Sequence, residues 1–139
     1  MKPSDRELVL VPPGRYLVKC HGWLTGLFFG KQPKVVLECS IADMGQWFEL
    51  PIQRHYNARH LIGKPGRGGR FALGRSSDCL REFAIVAARR PDRLDRVPLS
   101  EFKNRLLVAD IETMEKGRDG KSVPEVVRYS VIKRIVGVQ

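Results

Sequence analysis

Five separate segments of the chain alternate apolar and polar residues, and this period of two constrains the fold more than any other feature. Successive side chains of a strand point to opposite faces, so such alternation predicts half-buried β-strands. The predicted strands are Arg15–Trp23, Val35–Ala42, Trp47–Tyr56, Leu106–Thr113 and Arg128–Val136. Pro51 interrupts the third segment, and since proline cannot donate to a ladder, that strand has to lie at a sheet edge or contain a bulge. The last two strands should pair as a hairpin.

One segment, Asp78–Ala88, has the spacing of an amphipathic helix. The predicted core stripe consists of Leu80, Phe83, Ala84 and Ala87. Ser76, Ser77 and Asp78 offer capping oxygens at the start of the segment, and Pro91 stops the helix soon after its end. The pattern therefore predicts a single helix between the third and fourth strands.

The order of these elements indicates one domain over residues 1–139 of a mainly β class. Three strands, a helix and two strands are the element order of an OB-fold, a five-stranded, partly open Greek-key barrel. An SH3-like barrel lacks so long a helix, and a ferredoxin-like fold would need a helix between the first two strands, where Phe28, Gly30 and Pro33 stand. We therefore expect an OB-fold-like barrel.

The net charge points to a polyanionic partner. The chain has 25 Lys and Arg against 15 Asp and Glu, a formal net charge of +10, and a strongly basic small domain is typical of nucleic-acid binders. Six of the cations fall within Arg54–Arg75, a Gly-rich segment without Asp or Glu that precedes the helix. A solvated loop is the simple interpretation of this basic insertion, but its apolar residues, among them Leu61 and Phe71, favour a folded flap over the nucleic-acid groove.

Single-stranded nucleic acid is held through its phosphates and its exposed base faces, so cations and aromatic rings are the candidate contacts. In an OB-fold the ligand crosses the second and third strands and is gripped by the loops between strands one and two and between strands four and five. The predicted phosphate contacts are Lys31, Lys34, Arg54, Arg59, Lys64, Arg67, Arg70, Arg75, Lys116, Arg118 and Lys121. The predicted stacking residues are Phe28, Phe29, Trp47 and Tyr56.

Some of these assignments have plain structural alternatives. Phe28 and Phe29 are adjacent, so one should point into the core and the other to solvent. Trp47 shares the polar side of its predicted strand with Glu49, whereas Trp23 ends a buried strand and is expected in the core. The glycines of the insertion would let backbone amides approach phosphates closely.

The residues do not favour catalysis or a cofactor. His55 and His60 lie in a cationic field that repels a divalent ion, and the Gly-rich run lacks the spacing of a phosphate-binding loop. Asp110 and Glu112 share one face of a predicted strand and could hold Mg²⁺ in a nuclease, although pairing with Lys133 or Arg134 explains them more simply. We expect no enzyme, no cofactor and no metal site.

Cysteine usage and hydropathy are the features that predict the cellular compartment. Cys20, Cys39 and Cys79 are widely spaced in apolar patterns, so we interpret them as buried thiols and not as a disulfide framework. No stretch has the length of a spanning helix and the N-terminus has no leader pattern, which predicts a cytoplasmic protein without a membrane partner. Association with a second copy through the edge at Pro51 or the apolar segment 131–138 is left open.

Four stretches of the chain carry a resemblance. They read P-P-G-R-Y, P-K-V-V-L-E-C-S-I, R-H-Y-N-A-R-H-L-I-G-K-P-G-R-G-G-R-F-A-L-G and R-Y-S-V-I. They resemble small uncharacterised proteins of phages, plasmids and integrative elements of proteobacteria, whose layout is similar to that of phage OB-fold single-strand binders. The resemblance implies a nucleic-acid-binding role in a mobile element.

The sequence as a whole thus predicts a noncatalytic nucleic-acid-binding protein with little sequence specificity. Single-stranded DNA is favoured, and RNA is not excluded because no reader of the 2′-hydroxyl can be recognised. A protein-interaction module that inhibits or recruits a nucleoprotein complex is the alternative from another class, because OB barrels also dock proteins. The Mg²⁺-dependent nuclease is the third hypothesis.

Overall fold

The computed structural model describes residues 10–116 and 127–139. In this part of the chain the fold is mainly β. The strands are β1 (Gly14–Phe28), β2 (Gln32–Ile41), β3 (Pro51–Asn57), β4 (His60–Ile62), β5 (Gly66–Arg67), β6 (Arg70–Ala72), β7 (Leu106–Lys116) and β8 (Val127–Val138). One α-helix, α1 (Asp78–Ala87), and a 3₁₀ turn at Leu99–Phe102 complete it.

The long strands form one antiparallel sheet in the order β3-β2-β1-β7-β8. The central strand β1 has two partners on the side opposite β2. Residues 14–19 pair with β7, whereas Leu24 and Thr25 pair with the short strand β5. The predicted hairpin between the last two strands is confirmed. Strands β4 and β6 form a separate two-stranded sheet.

The predicted strand Trp47–Tyr56 is correct only in its second half. The chain between β2 and Pro51 forms turns, and Glu49 has a φ of +68° that no strand residue adopts. Pro51 is the first residue of β3, and β3 is an edge strand of the sheet. The edge position inferred from this proline is therefore confirmed.

Helix α1 begins as expected, since the Ser77 hydroxyl accepts a 3.1 Å hydrogen bond from the Leu80 amide. It ends where Ala88 adopts a left-handed conformation. The buried residues of the helix are Cys79, Glu82, Phe83 and Val86. The predicted stripe is right at Phe83, and Leu80 and Ala87 pack partly buried against the core. The stripe missed Glu82, because a buried glutamate counts as polar in any hydropathy pattern.

The expected five-stranded barrel is wrong in its number of strands, in the position of its helix and in its closure. The basic insertion contributes β4, β5 and β6, which are too short for periodicity to reveal, so the helix follows the sixth strand in chain order. The sheet is also open, since no backbone ladder joins β3 to β8 within the described residues. These two edges nevertheless lie near each other, and the side chain of Glu82 lies between them.

The inner face of the sheet and helix α1 enclose one hydrophobic core. On β2 the residues Val35, Leu37, Cys39 and Ile41 are all almost fully buried. The three cysteines are buried and free, as predicted. No helix in the described ranges is long and apolar enough to cross a membrane.

Candidate nucleic-acid interface

The face of β1, β2 and β3 that points away from the core carries a mixed aromatic and cationic surface. Residues in cross-strand register share a face, which places Val36 beside Leu24 and His55. Lys34 and Phe28 follow on the same side by the alternation along each strand. We call this surface, defined by Leu24, Phe28, Lys34 and His55, the outer face; Val36 lies on the same side of β2 but is only 2% exposed.

The β1–β2 hairpin ends in a strained aromatic turn. Phe29 and Gly30 have φ of +57° and +71°, and the Lys31 amide donates to the Phe28 carbonyl at 3.1 Å. A β-turn with positive φ at both central residues normally uses Asn and Gly, and the left-handed conformation costs a side-chain-bearing residue about 1–2 kcal/mol. Phe29 is nevertheless 91% exposed. A large, exposed ring in a strained conformation makes Phe29 a candidate functional residue.

A cleft of about 380 Å³ lies between this turn, β3 and the β7–β8 hairpin. Phe28, Phe29 and Tyr129 supply its aromatic side chains. Phe28 packs edge to face on His55, with ring centroids 5.8 Å apart. Since Phe28 contacts His55 and not the core, the expectation that one of the two phenylalanines would be a core residue is wrong.

The charged groups of the cleft are mostly cationic. Lys34, Arg54 and Lys133 line it together with one carboxylate, Glu112, which lies 3.9 Å from the Lys133 ammonium. Burial lowers the pKa of His55, and the charges of Lys34 and Arg54 lower it further. His55 is therefore a neutral ring at neutral pH, suited to packing against a base or another ring.

The basic insertion is a folded flap, which we define as β4, β5 and β6 with their connections. Arg67 pairs in register with Leu24 and bonds Glu38 at 3.0 Å, so its guanidinium reaches the outer face. Gly69 packs so tightly that an added Cβ would lie 2.0 Å from the Thr25 hydroxyl oxygen. The flap is thus anchored to β1.

Three of the four flap glycines do not offer free amides to phosphates as expected. The Gly66 amide donates to the Thr25 hydroxyl at 3.2 Å, the Gly68 amide to the Trp23 carbonyl at 2.9 Å, and the Gly69 amide to the Gly66 carbonyl at 3.0 Å. Their backbone donors are used inside the protein. Trp23 itself is half-buried against the core, as predicted, and its indole donates to the Gly69 carbonyl at 2.9 Å.

The other cations of the insertion lie on several surfaces. Arg59, Lys64, Arg70 and Arg75 are exposed, but none of them lines the cleft. Arg70 borders a separate depression with Trp23 and Asp95, and Arg75 lies beside helix α1. The insertion therefore does not present its charge to one groove.

Two predicted contacts, Arg54 and Tyr56, belong to the interior. Arg54 is 8% and Tyr56 2% exposed. The Glu82 carboxylate accepts hydrogen bonds from Arg54 Nε at 3.1 Å, Arg54 Nη2 at 2.5 Å, the Tyr56 hydroxyl at 2.6 Å and the Ile135 amide at 3.0 Å. Burial raises the pKa of the Tyr56 phenol, and the Glu82 charge adds to the effect. This network holds the polar groups of both side chains inside the protein, although Arg54 also borders the cleft.

The remaining predicted residues divide three ways. Lys31 is exposed at the hairpin turn. Trp47 lies in the turns before β3, half-buried against the core, and is not part of the cleft. The Lys116 side chain, Arg118 and Lys121 lie outside the described residues.

Reasoning from residue types missed His55, Met114, Tyr129 and Lys133 as cleft residues. Alternation on β3 and β8 carried the signal, because it puts His55 and Lys133 on the non-core side of their strands. The two carboxylates considered for Mg²⁺ both have cationic partners. Arg15 binds Asp110 at 2.8 Å, and Glu112 lies near Lys133.

Comparison with known proteins finds no matching family model, no similar curated protein and no similar solved structure. Function therefore has to be inferred from the residues of the cleft and the outer face.

Proposed function

We propose that the protein binds single-stranded nucleic acid without catalysis, with single-stranded DNA favoured and little preference for sequence. The bases would stack on Phe28, Phe29 and Tyr129, while Lys34 and Lys133 neutralise phosphates. The observation that carries the proposal is Phe29, whose ring is 91% exposed at a φ of +57° beside the cleft. Its strain has no evident benefit to the fold, but a base stacked on it would contribute about 1–3 kcal/mol.

The nature of the cleft residues favours a single strand over a duplex. Aromatic rings stack on bases only where those bases are not already stacked in a helix. The lysine ammonium groups attract any phosphate and do not read base edges in a fixed geometry. Binding should therefore be tolerant of sequence and sensitive to salt.

We also propose that the sheet has an OB-like topology. When only the long strands are counted, the order β3-β2-β1-β7-β8 becomes 3-2-1-4-5, and the two edges lie near each other. An OB-fold binds oligonucleotides across strands two and three, between the loops that join strands one to two and four to five. The proposed site uses strands two and three and the loop between strands one and two, which supports this assignment; the loop between strands four and five lies outside the described residues.

Fluorescence anisotropy with a labelled single-stranded oligonucleotide, its duplex and an RNA copy tests the proposal across a salt series. We expect the single strand to bind more tightly than the duplex, with an affinity that falls as salt rises by about 0.7 log units per log unit for each phosphate neutralised. Flat traces at low salt would overturn the proposal. Shortening of the oligonucleotide only with Mg²⁺ would instead favour a nuclease that uses Asp110 and Glu112.

Two matched variants assign the site. Phe29→Ser should weaken single-strand binding about 10-fold or more, because a stacking platform is lost. Phe48→Ser is the control, since Phe48 is also an exposed phenylalanine, at 41%, but does not line the cleft. Equal losses in the two variants would remove the hairpin turn from the site.

A protein-interaction module is the second candidate, and one observation favours it. Leu27, 54% exposed, adds an aliphatic side chain to the same hairpin as Phe29. A turn of this kind can insert into an apolar pocket of a partner protein. Absence of binding to every oligonucleotide in the salt series would favour this candidate.

A further inference from the structure

The surface of helix α1 carries a second cleft, which shares no residue with the proposed nucleic-acid site. Its volume is about 500 Å³, which lies in the range of ligand pockets. We define the α1 cleft by the six residues that matter for its chemistry. They are Arg75, Leu80, Arg81, Ala84, Ile85 and Arg90.

All the charged side chains that line the α1 cleft are cationic. Arg75 stands before the helix, Arg81 on it and Arg90 after it. Arg81 is paired with Asp78 at 2.7 Å, whereas Arg75 and Arg90 are exposed and make no ion pair with any residue in the ranges 10–116 and 127–139. Two guanidinium groups without an ion-pair partner among the described residues thus flank a helix that rises about 15 Å over its ten residues.

Between these arginines the helix surface is aliphatic. Leu80 and Ala84 are four residues apart and half-buried, and Ile85 lies beside them with 41% of its surface exposed. No aromatic side chain lines this cleft. A nucleic acid would therefore find charge here but no ring on which a base could stack.

We propose that the α1 cleft binds an acidic peptide segment of a partner protein, with aliphatic side chains on Leu80, Ala84 and Ile85 and carboxylates on Arg75 and Arg90. Guanidinium groups bind carboxylates through paired hydrogen bonds, and the aliphatic strip covers apolar side chains of the peptide. The helix length corresponds to about five residues of extended peptide at about 3.3 Å each. The proposal is independent of the nucleic-acid site.

The test is fluorescence anisotropy of the full chain with a short labelled peptide of Glu and Leu. The comparison peptide has every Leu replaced by Ser and keeps the same charge. We expect the Glu–Leu peptide to bind about tenfold more tightly than the Glu–Ser peptide. Equal affinities would mean attraction by charge alone and would overturn the proposal.

Substitutions in the α1 cleft test where the peptide binds on the protein. The double substitution Arg75→Glu and Arg90→Glu should weaken the Glu–Leu peptide about tenfold or more, and Ile85→Ser should weaken it severalfold while leaving the Glu–Ser peptide unchanged. Lys19→Glu is the charge control, because Lys19 is exposed on β1 and does not line the cleft. Circular dichroism melting verifies that each variant is folded.

Two results would contradict the proposal. One is an equal loss in Lys19→Glu and in a single Arg90→Glu variant, which would show only the effect of net charge. The other is a tenfold loss of oligonucleotide affinity in the Arg75→Glu and Arg90→Glu variant together with displacement of the peptide by oligonucleotide. That second result would make the α1 cleft an extension of a nucleic-acid surface.

Discussion

The two faces of β3 use similar chemistry for opposite purposes. On the inner side, Arg54 and Tyr56 combine a cation with an aromatic ring, 4.4 Å apart, and Glu82 holds both in a buried network. On the outer side, His55 lies against Phe28 beside Lys34 and the exposed ring of Phe29. The inner polar groups bond to one another, whereas the outer rings and charges are open to a ligand. A structural cluster and a binding surface can therefore contain the same residue types. They differ in whether the side chains already have partners inside the protein.

Removal of the inner carboxylate should have the greatest consequence. Glu82→Ala would leave the Arg54 charge buried and the Tyr56 hydroxyl and Ile135 amide without their acceptor, so we expect the free energy of unfolding to fall by about 3–5 kcal/mol. Urea unfolding followed by circular dichroism measures the change. Arg81→Ala on the same helix is the control and should cost about 1 kcal/mol or less, because its ion pair is exposed. A similar small loss in Glu82→Ala would show that the network does not close the gap between β3 and β8.

Substitution of Phe29 should separate binding from stability. In Phe29→Asn the side chain suits the left-handed turn, so we expect the free energy of unfolding to rise by about 1 kcal/mol. The same change should weaken single-strand binding by about 1–3 kcal/mol, since the stacking ring is lost. Urea unfolding and anisotropy measure the two quantities. If both fell together, Phe29 would be a packing residue.

Each lysine of the cleft should account for one neutralised phosphate in the salt dependence of oligonucleotide affinity. Lys34→Gln or Lys133→Gln should reduce the slope of log affinity against log salt by about 0.7 each, the value for one phosphate of a single strand. Anisotropy titrations at several salt concentrations give the slope. Lys103→Gln, an exposed lysine outside the cleft, should leave it unchanged. Equal slopes in all variants would remove both lysines from the phosphate path.

The smallest effect concerns pH. Because the pKa of His55 is lowered in the folded state from its ordinary 6.5, the unfolded chain binds more protons between the folded pKa and 6.5. His55 therefore contributes stability that is present above pH 6.5 and lost as the pH falls below it. Urea unfolding between neutral pH and pH 5 should show a weaker decline in His55→Gln than in the wild type. An identical decline would mean that His55 titrates alike in both states.

The faces of β3 also show what a sequence can and cannot predict here. Alternation along β3 puts Ile52, Arg54 and Tyr56 on the core side, whereas residue type alone suggests that Arg54 and Tyr56 bind a ligand. Their partner Glu82 lies 28 residues away from Arg54, so no local pattern reveals it. The long strands, the hairpin of β7 and β8 and the capped helix follow from periodicity. The two- and three-residue strands of the flap and the strained turn at Phe29 depend on tertiary contacts that periodicity does not contain.

The most direct test of the proposed interface is a titration of the ¹⁵N-labelled protein with a single-stranded oligonucleotide, followed by amide chemical shifts. We expect the shift changes to cluster at Phe28, Phe29, Lys34, His55 and Tyr129, with little change at Trp47 or along helix α1. Changes confined to α1 or the flap, or no changes at low salt, would contradict the assignment of nucleic-acid binding to the outer face and its cleft.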